Sequence, residues 1–89
     1  MSELVSIITA CYNSEKFIEE CITSVLNQSY QNWEMLIVDD NSSDNSSILI
    51  KSYSKQDDRI KPLFLNYNLG PAMARNKAIS IAKGKYIAF

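Results

Sequence analysis

The residues in this sequence best suited to chemistry are one aromatic side chain and a pair of carboxylates. Tyr12 follows an apolar run near the start of the chain, and Asp39 and Asp40 follow a second apolar run. A tyrosine ring can stack on a nucleobase, which contributes about 1–3 kcal/mol. A carboxylate only accepts hydrogen bonds, so it favours a base that presents an N–H group, such as the imide of uracil. These residues predict a nucleotide site.

Several other kinds of site lack the residues that they require. The sequence contains no histidine, which excludes imidazole bases, Ser-His-Asp triads and most catalytic zinc sites. Its two cysteines, Cys11 and Cys21, have no metal-binding spacing and are expected to be free thiols. Neither a Gly-x-Gly-x-x-Gly nor a P-loop pattern occurs. A nucleotide diphosphate would therefore need a cation such as Arg75, near the start of a predicted helix, or a divalent metal.

The composition is that of a small globular domain. Of 89 residues, 46% are hydrophobic and 21% are charged. Nine basic and ten acidic residues give a net charge of −1, which argues against a nucleic-acid partner, since that requires a basic surface. No apolar run approaches the roughly 20 residues that span a bilayer, and no signal peptide is visible. We therefore expect a cytoplasmic location.

Four short apolar runs predict β-strands at residues 4–9, 33–38, 60–66 and 86–89. Pro62 lacks a backbone donor, so it indicates that the third strand lies at an edge of the sheet. Because the strands are continuously apolar and helix-length segments separate them, the predicted fold is α/β, a Rossmann-like three-layer α/β/α arrangement with a mostly parallel sheet. In such sheets ligands bind beyond the carboxyl ends of the strands, where Tyr12, Asp39 and Asp40 are expected.

Helical spacing predicts the three connections between these strands. Ser14 is a candidate N-cap for the first helix, whose apolar face is predicted to include Phe17. The second helix follows the polar residues 39–47 and is predicted to direct Ile48 inward. The third begins at Gly70-Pro71 and is expected to bury a face of small residues that includes Ala72.

Four runs of residues resemble the family-2 glycosyltransferases, which have the GT-A fold. They are residues 5–13 (VSIITACYN), 24–30 (SVLNQSY), 33–44 (WEMLIVDDNSSD) and 68–76 (NLGPAMARN). The last run matches the family pattern N-x-G-x-x-x-A-R-N, and residues 84–89 (GKYIAF) resemble the strand that leads into the family's D-x-D motif. The motifs occur in order and cover essentially the whole chain.

The resemblance implies a role for each candidate site residue. Tyr12 would stack on the base, commonly uracil, and Asp40 would accept the hydrogen bond of the imide N–H. Asp39 would line the same pocket, Ala10 would contact the base or ribose through its backbone, and Arg75 would bind the diphosphate. The implied reaction is inverting transfer of a sugar from a UDP-sugar to an acceptor hydroxyl in cell-surface polysaccharide synthesis. Mg²⁺ or Mn²⁺ would stabilise the departing diphosphate.

The resemblance also implies which groups these residues do not supply. The D-x-D carboxylates and the catalytic base would lie beyond Phe89, where the apolar fourth strand stops without a polar tail. Residues 1–89 are therefore expected to be the N-terminal nucleotide-sugar-binding portion of a larger domain, inactive alone and without catalytic residues or metal ligands of their own. The implied acceptor is a sugar or a lipid-linked sugar. This would place the parent protein in the cytoplasm, with peripheral attachment to the inner face of the membrane as one option.

One departure from the family pattern concerns the residue after the paired aspartates. The family usually has glycine there, and this chain has Asn41. Asparagine adopts left-handed backbone more readily than most residues, so the turn is expected to be kept.

Two other function classes stay open at this point. A non-catalytic nucleotide-binding or interaction module could share the same sheet, and an Asp-x-Asp soon after Phe89 would favour the transferase instead. A phosphorylation-receiver domain also has an acidic pair at a strand end, as at Asp39 and Asp40. A receiver needs a later phosphoacceptor aspartate, however, and no Asp or Glu follows Asp58.

Overall fold

The structure, a computed structural model, describes residues 3–89. Strands and helices alternate along these residues as β1 (Val5–Cys11), α1 (Glu15–Asn27), β2 (Trp33–Asp39), α2 (Ser46–Gln56), β3 (Ile60–Phe64), α3 (Pro71–Ile81) and β4 (Tyr86–Ala88). The strands form one parallel sheet in the order β3-β2-β1-β4. The predicted α/β architecture is therefore confirmed. None of the helices in this part of the chain has the length and apolar character needed to cross a membrane.

Helices cover both faces of the sheet, as the apolar strands predict. On one face, Ile18 and Ile22 of α1 and Ile50 of α2 pack in a buried cluster with the sheet residues Met35 and Ile37. On the other face, α3 contributes the two buried alanines of a second cluster, which comprises Ile8, Leu36, Val38, Ala74 and Ala78. The two clusters alternate along β2 because successive strand residues point to opposite faces. All seven residues of β2 are buried, which makes it the centre of the core.

All four strands lie where they are predicted, and two of them end two residues away from the predicted end. β1 continues to Cys11 because its pairing with β2 runs to the register Cys11↔Asp39, two residues past the predicted end. β3 ends at Phe64, two residues before the predicted end. Pro62 lies in the edge strand β3, as predicted. The extension of β1 brings Tyr12 directly after the last paired residue.

Three side chains predicted to face inward are exposed instead. Phe17 in α1 and Ile48 in α2 are 54% and 63% exposed, and Ala72 in α3 is also exposed. The buried positions of α1 and α3 are spaced by four residues, as Ala74 and Ala78 show. Each helix contacts the sheet along a narrow stripe, so apolar residues one or two positions away from that stripe lie outside the core.

A buried carboxylate ties the turn before β4 to the amino-terminal half of the sheet. Glu34 accepts hydrogen bonds from the Ser6 hydroxyl at 2.6 Å, the Lys83 backbone N–H at 2.7 Å and the Lys61 ammonium at 3.0 Å. The Ser6 oxygen in turn accepts the Gly84 backbone N–H at 2.8 Å. Burial by itself would raise the pKa of Glu34, but these hydrogen bonds outweigh it and hold the pKa below its ordinary value.

Candidate functional site

A cavity of about 380 Å³ lies beyond the carboxyl ends of the two central strands. Its lining comes from the end of β1, the residue after β2 and the loop before α3, and comprises Ala10, Cys11, Tyr12, Ser14, Asp40, Asn68, Gly70 and Pro71. Tyr12 and Asp40, which are distant in sequence, therefore face the same space. Tyr12 is 50% exposed, so its ring is accessible, whereas Asp40 is buried. The aromatic ring and the carboxylate are brought together as the sequence analysis predicts.

The Asp40 carboxylate is held by the backbone that enters α3. Its two oxygens accept hydrogen bonds from the Leu69 N–H at 2.8 Å and the Gly70 N–H at 2.9 Å. The Asn68 amide also donates to the Asp40 carbonyl at 3.2 Å, and the Asp40 N–H donates to the Cys11 carbonyl at 2.8 Å. A carboxylate has about four lone-pair positions. Two of those on Asp40 are used by the protein, which leaves acceptor capacity for a ligand.

The structure corrects the position expected for Asp39. This side chain is buried, and it accepts hydrogen bonds from the Ser42 hydroxyl at 2.5 Å and the Ser42 backbone N–H at 3.2 Å. It is not among the residues that line the cavity. Asp39 therefore faces the loop after β2, whereas Asp40 borders the cavity.

Ala10 and Arg75 lie as neighbours in a second depression. Ala10 lines the cavity with Tyr12, as expected, and also lines an adjoining space of about 250 Å³. Arg75 borders only the adjoining space, together with Phe17 and Phe89 among others. The two depressions share Ala10, so Arg75 sits beside the cavity rather than in it.

Cys11 borders the cavity, and its side chain belongs to the buried cluster that includes Ile18 and Ile22. Its side chain is buried and is not part of a disulfide. Burial raises the pKa of this thiol, and the nearby charge of Asp39 raises it further, in excess of the lowering by the Ser46 hydrogen bond. The Cys11 thiol is therefore a neutral core group rather than a reactive thiolate.

Asn13 and Ser42 belong to the site, and the sequence analysis does not identify them. The Asn13 side-chain oxygen accepts hydrogen bonds from the Ser43 N–H at 2.7 Å and the Asp44 N–H at 3.2 Å. The backbone N–H of Asn13 donates a hydrogen bond to the Ser42 hydroxyl at 2.9 Å. These bonds join the loop that carries Tyr12 to the loop after β2. The signal in the sequence is an asparagine directly after Tyr12, because asparagine favours left-handed backbone and Asn13 has φ 47°.

The described residues do not supply a metal centre. Within residues 3–89 no three cysteine, aspartate or glutamate side chains lie close enough together to hold a metal ion. Among the described residues that line the cavity, Asp40 is the one carboxylate, and Asp39 is held by Ser42 outside it. A divalent cation needs six or more oxygen ligands, some of them water, and this donor set does not fit one.

Relatives with curated names are similar to this chain along nearly all of its length. It is 50% identical over 86 residues to UDP-Glc:alpha-D-GlcNAc-diphosphoundecaprenol beta-1,3-glucosyltransferase WfgD of Escherichia coli, a match that covers 97% of this chain and 33% of the relative. The chain spans about a third of the length of the curated relatives that it matches.

Solved structures show the same fold. TarS of S. aureus in complex with UDP-GlcNAc matches with a TM-score of 0.85 and 32% identity over 93% of this chain and 24% of TarS. The mannosyltransferase PcManGT of Pyrobaculum calidifontis, in complex with GDP-Man and Mn²⁺, matches with a TM-score of 0.84 over 98% of this chain and 26% of that protein. Its identity is 23%, so this likeness concerns the fold alone.

A family model, glycosyl transferase family 2, matches residues 6–89. The α/β fold with its parallel sheet, the match to TarS and this family model agree with one another. The chain belongs to glycosyl transferase family 2.

Proposed function

We propose that the protein containing this chain transfers a sugar from a UDP-sugar to an acceptor hydroxyl with inversion, and that this chain binds the nucleotide part of the donor. The observation that carries the proposal is the convergence of Tyr12 and Asp40 on one cavity. The exposed Tyr12 ring offers a stacking surface for uracil, and the free acceptor positions of Asp40 suit the imide N–H. Family membership supports this proposal over a phosphorylation receiver.

The remaining groups of the donor would extend past Ala10. Ala10 borders both depressions, so a nucleotide whose base lies against Tyr12 can direct its diphosphate towards Arg75. The guanidinium would provide a positive charge and several N–H donors for the diphosphate. Mg²⁺ or Mn²⁺ would supply further stabilisation of the leaving diphosphate when it is held by residues outside this chain. Residues outside this chain would also supply the catalytic base.

The named relatives support the donor and acceptor classes. The name of the E. coli relative specifies a UDP-sugar donor and a lipid-diphosphate-linked sugar acceptor. TarS has been solved with UDP-GlcNAc and with UDP. We extend these classes to this protein, with a role in cell-surface polysaccharide synthesis in the cytoplasm at the inner face of the membrane.

The test is calorimetric titration of the full gene product with UDP and with GDP in the presence of Mn²⁺. Tyr12→Ala is expected to weaken UDP binding about 5- to 150-fold, which corresponds to the loss of one stacked base. Tyr12→Phe keeps the ring and should bind nearly as tightly as the parent, while Asp40→Asn should weaken UDP binding. Tyr86→Ala is the matched control, because Tyr86 pairs with Val5 at the opposite end of the sheet.

The proposal fails if Tyr12→Ala and Asp40→Asn both bind UDP as tightly as the parent protein. A second assay measures transfer of labelled sugar from UDP-glucose and UDP-GlcNAc to lipid-linked acceptors, with the anomeric configuration of the product read by NMR. UDP binding without transfer to any acceptor would instead indicate a non-catalytic nucleotide-binding module.

A further inference from the structure

The backbone on both sides of Tyr12 is tied to the segment that follows β2. Before Tyr12, the Cys11 carbonyl accepts the Asp40 N–H at 2.8 Å. After it, the Ser14 N–H donates to the Ser46 hydroxyl at 3.1 Å, and the Ser14 hydroxyl turns back to donate to the Tyr12 carbonyl at 2.8 Å. The loop that presents the exposed ring is therefore fixed by contacts from residues distant in sequence.

Asn13 makes the largest share of these contacts. One atom, the side-chain oxygen, accepts three hydrogen bonds: from the Ser43 N–H at 2.7 Å, the Asp44 N–H at 3.2 Å and the Ser43 hydroxyl at 3.3 Å. Its backbone lies in the left-handed region, with φ 47°. Asparagine, aspartate and glycine tolerate that region best, and only the first two carry an acceptor oxygen.

Asp39 holds Ser42, which in turn contacts Asn13. Its carboxylate holds both the hydroxyl and the backbone N–H of Ser42, and the Ser42 oxygen accepts the Asn13 N–H at 2.9 Å. A continuous series of hydrogen bonds therefore runs from the end of β2, through Asp39 and Ser42, to the residue next to Tyr12. The two aspartates therefore have different roles: Asp40 faces the cavity, and Asp39 holds the loop that follows β2.

We propose that Asn13 is a positioning residue for nucleotide binding, which holds the Tyr12 ring at the cavity before the ligand arrives, with Asp39 and Ser42 as its support. The inference rests on the proposed function, because it assumes that Tyr12 stacks on the base. A ring that is already ordered loses less conformational freedom on binding, and this raises affinity without adding a contact to the ligand.

The experiment measures UDP affinity by calorimetry for variants of the full gene product in two backgrounds, the parent and Tyr12→Ala. Asn13→Gly permits the same backbone but removes the acceptor oxygen, and it should weaken UDP binding about 3- to 10-fold in the parent background. Asn13→Asp keeps an acceptor at the same position and should retain most of the affinity. In the Tyr12→Ala background, Asn13→Gly should cause no further loss, because the ring that it positions is gone.

Ser42→Ala is a second variant that acts on the same series of bonds and is expected to behave like Asn13→Gly in both backgrounds. Far-ultraviolet circular dichroism verifies that each variant is folded. If Asn13→Gly and Ser42→Ala bind UDP like the parent, or weaken binding equally in both backgrounds, the positioning role is overturned and the proposed function stands. If Tyr12→Ala itself leaves UDP affinity unchanged, the proposed function is what fails.

Discussion

The carboxylate of Asp40 accepts a hydrogen bond of 2.9 Å from the backbone N–H of Gly70, although the two residues are 30 positions apart. Gly70 is the N-cap residue of α3, and the adjacent Leu69 N–H donates to the other carboxylate oxygen. A negative charge at a helix N-terminus is stabilising, because the helix dipole places partial positive charge there. The residue that we propose for base recognition therefore also fixes one wall of the cavity.

This double role predicts that Asp40 contributes to stability as well as to binding. Asp40→Ala leaves two backbone N–H groups without their acceptor, so the free energy of unfolding should fall by about 2–4 kcal/mol. Asp40→Asn retains one oxygen and should cost less. Urea denaturation, followed by the fluorescence of Trp33, measures both variants.

Asp58→Ala provides the comparison for this measurement, since Asp58 is an exposed turn residue. Its effect should stay within about 0.5 kcal/mol. An equal loss of stability in Asp40→Ala and Asp58→Ala would contradict the role assigned to the Gly70 contact.

Glu34 predicts a loss of stability in acid. Its hydrogen bonds with Ser6, Lys83 and Lys61 keep its pKa in the folded protein below the ordinary value of 4.5, which applies when the chain is unfolded. A lowered pKa stabilises the folded state above pH 4.5, and this stabilisation disappears as the pH falls through the folded-state pKa.

The measurement compares the parent with Glu34→Gln by urea denaturation at several pH values between 7 and about 2. The difference in unfolding free energy should be greatest at neutral pH and should shrink in acid. The exposed Glu20, changed to glutamine, serves as the control. A difference that stays constant across the pH range would show that the charge of Glu34 contributes nothing to stability.

Gly84 predicts a steric limit at the turn before β4. A Cβ atom at this position would lie 2.5 Å from both the backbone nitrogen and the hydroxyl oxygen of Ser6. Gly84→Ala should therefore push β4 away from β1 and lower the unfolding free energy by about 1–3 kcal/mol. Lys83→Ala, which keeps the backbone N–H bonded to Glu34, should be nearly neutral in the same thermal or urea unfolding experiment. A neutral Gly84→Ala would mean that the turn can move aside freely.

Asn41 stands where the family pattern usually has glycine, and substitutions there test the conformation of the turn. Its φ of 62° confirms the expected left-handed backbone. Asn41→Gly should leave the melting temperature unchanged or slightly higher, whereas Asn41→Ala should cost about 1–2 kcal/mol, because a Cβ without a compensating side-chain contact is disfavoured there. Equal stability of the alanine and glycine variants would be inconsistent with a left-handed residue 41.

The fold was largely predictable because its strands and helices are strongly patterned. β2 carries the continuous apolar run Met35–Val38 and is the most buried strand, as such a run predicts. The inward faces of the helices were less predictable, as Phe17 and Ile48 show. Phe17 is followed by Ile18, and Ile48 is followed by Leu49. In each pair, the orientation of the helix on the sheet decides which side chain is the more buried.

The site was predictable at Tyr12 and Asp40, because residues at the carboxyl ends of adjacent parallel strands must meet. Asp39 lies outside the cavity, where Ser42 holds it, because the path of the loop after β2 decides which carboxylate faces the cavity and the sequence does not show that path. Arg75 lies in the neighbouring depression. The sequence does not predict this position, because it depends on how α3 is rotated on the sheet. The asparagine after Tyr12 indicates a left-handed residue, but the sequence does not show that Asn13 forms hydrogen bonds with the distant loop after β2.

The left-handed backbone at residues 13 and 41 limits how a gene for this protein can drift. The codons for asparagine and aspartate differ by a single base, and those for aspartate and glycine by another. At residue 41 all three amino acids satisfy the backbone, so mutation can pass from asparagine through aspartate to glycine without an unfit intermediate. At residue 13 the same route stops at aspartate, because glycine lacks the oxygen that accepts the hydrogen bonds of the Ser43 and Asp44 N–H groups.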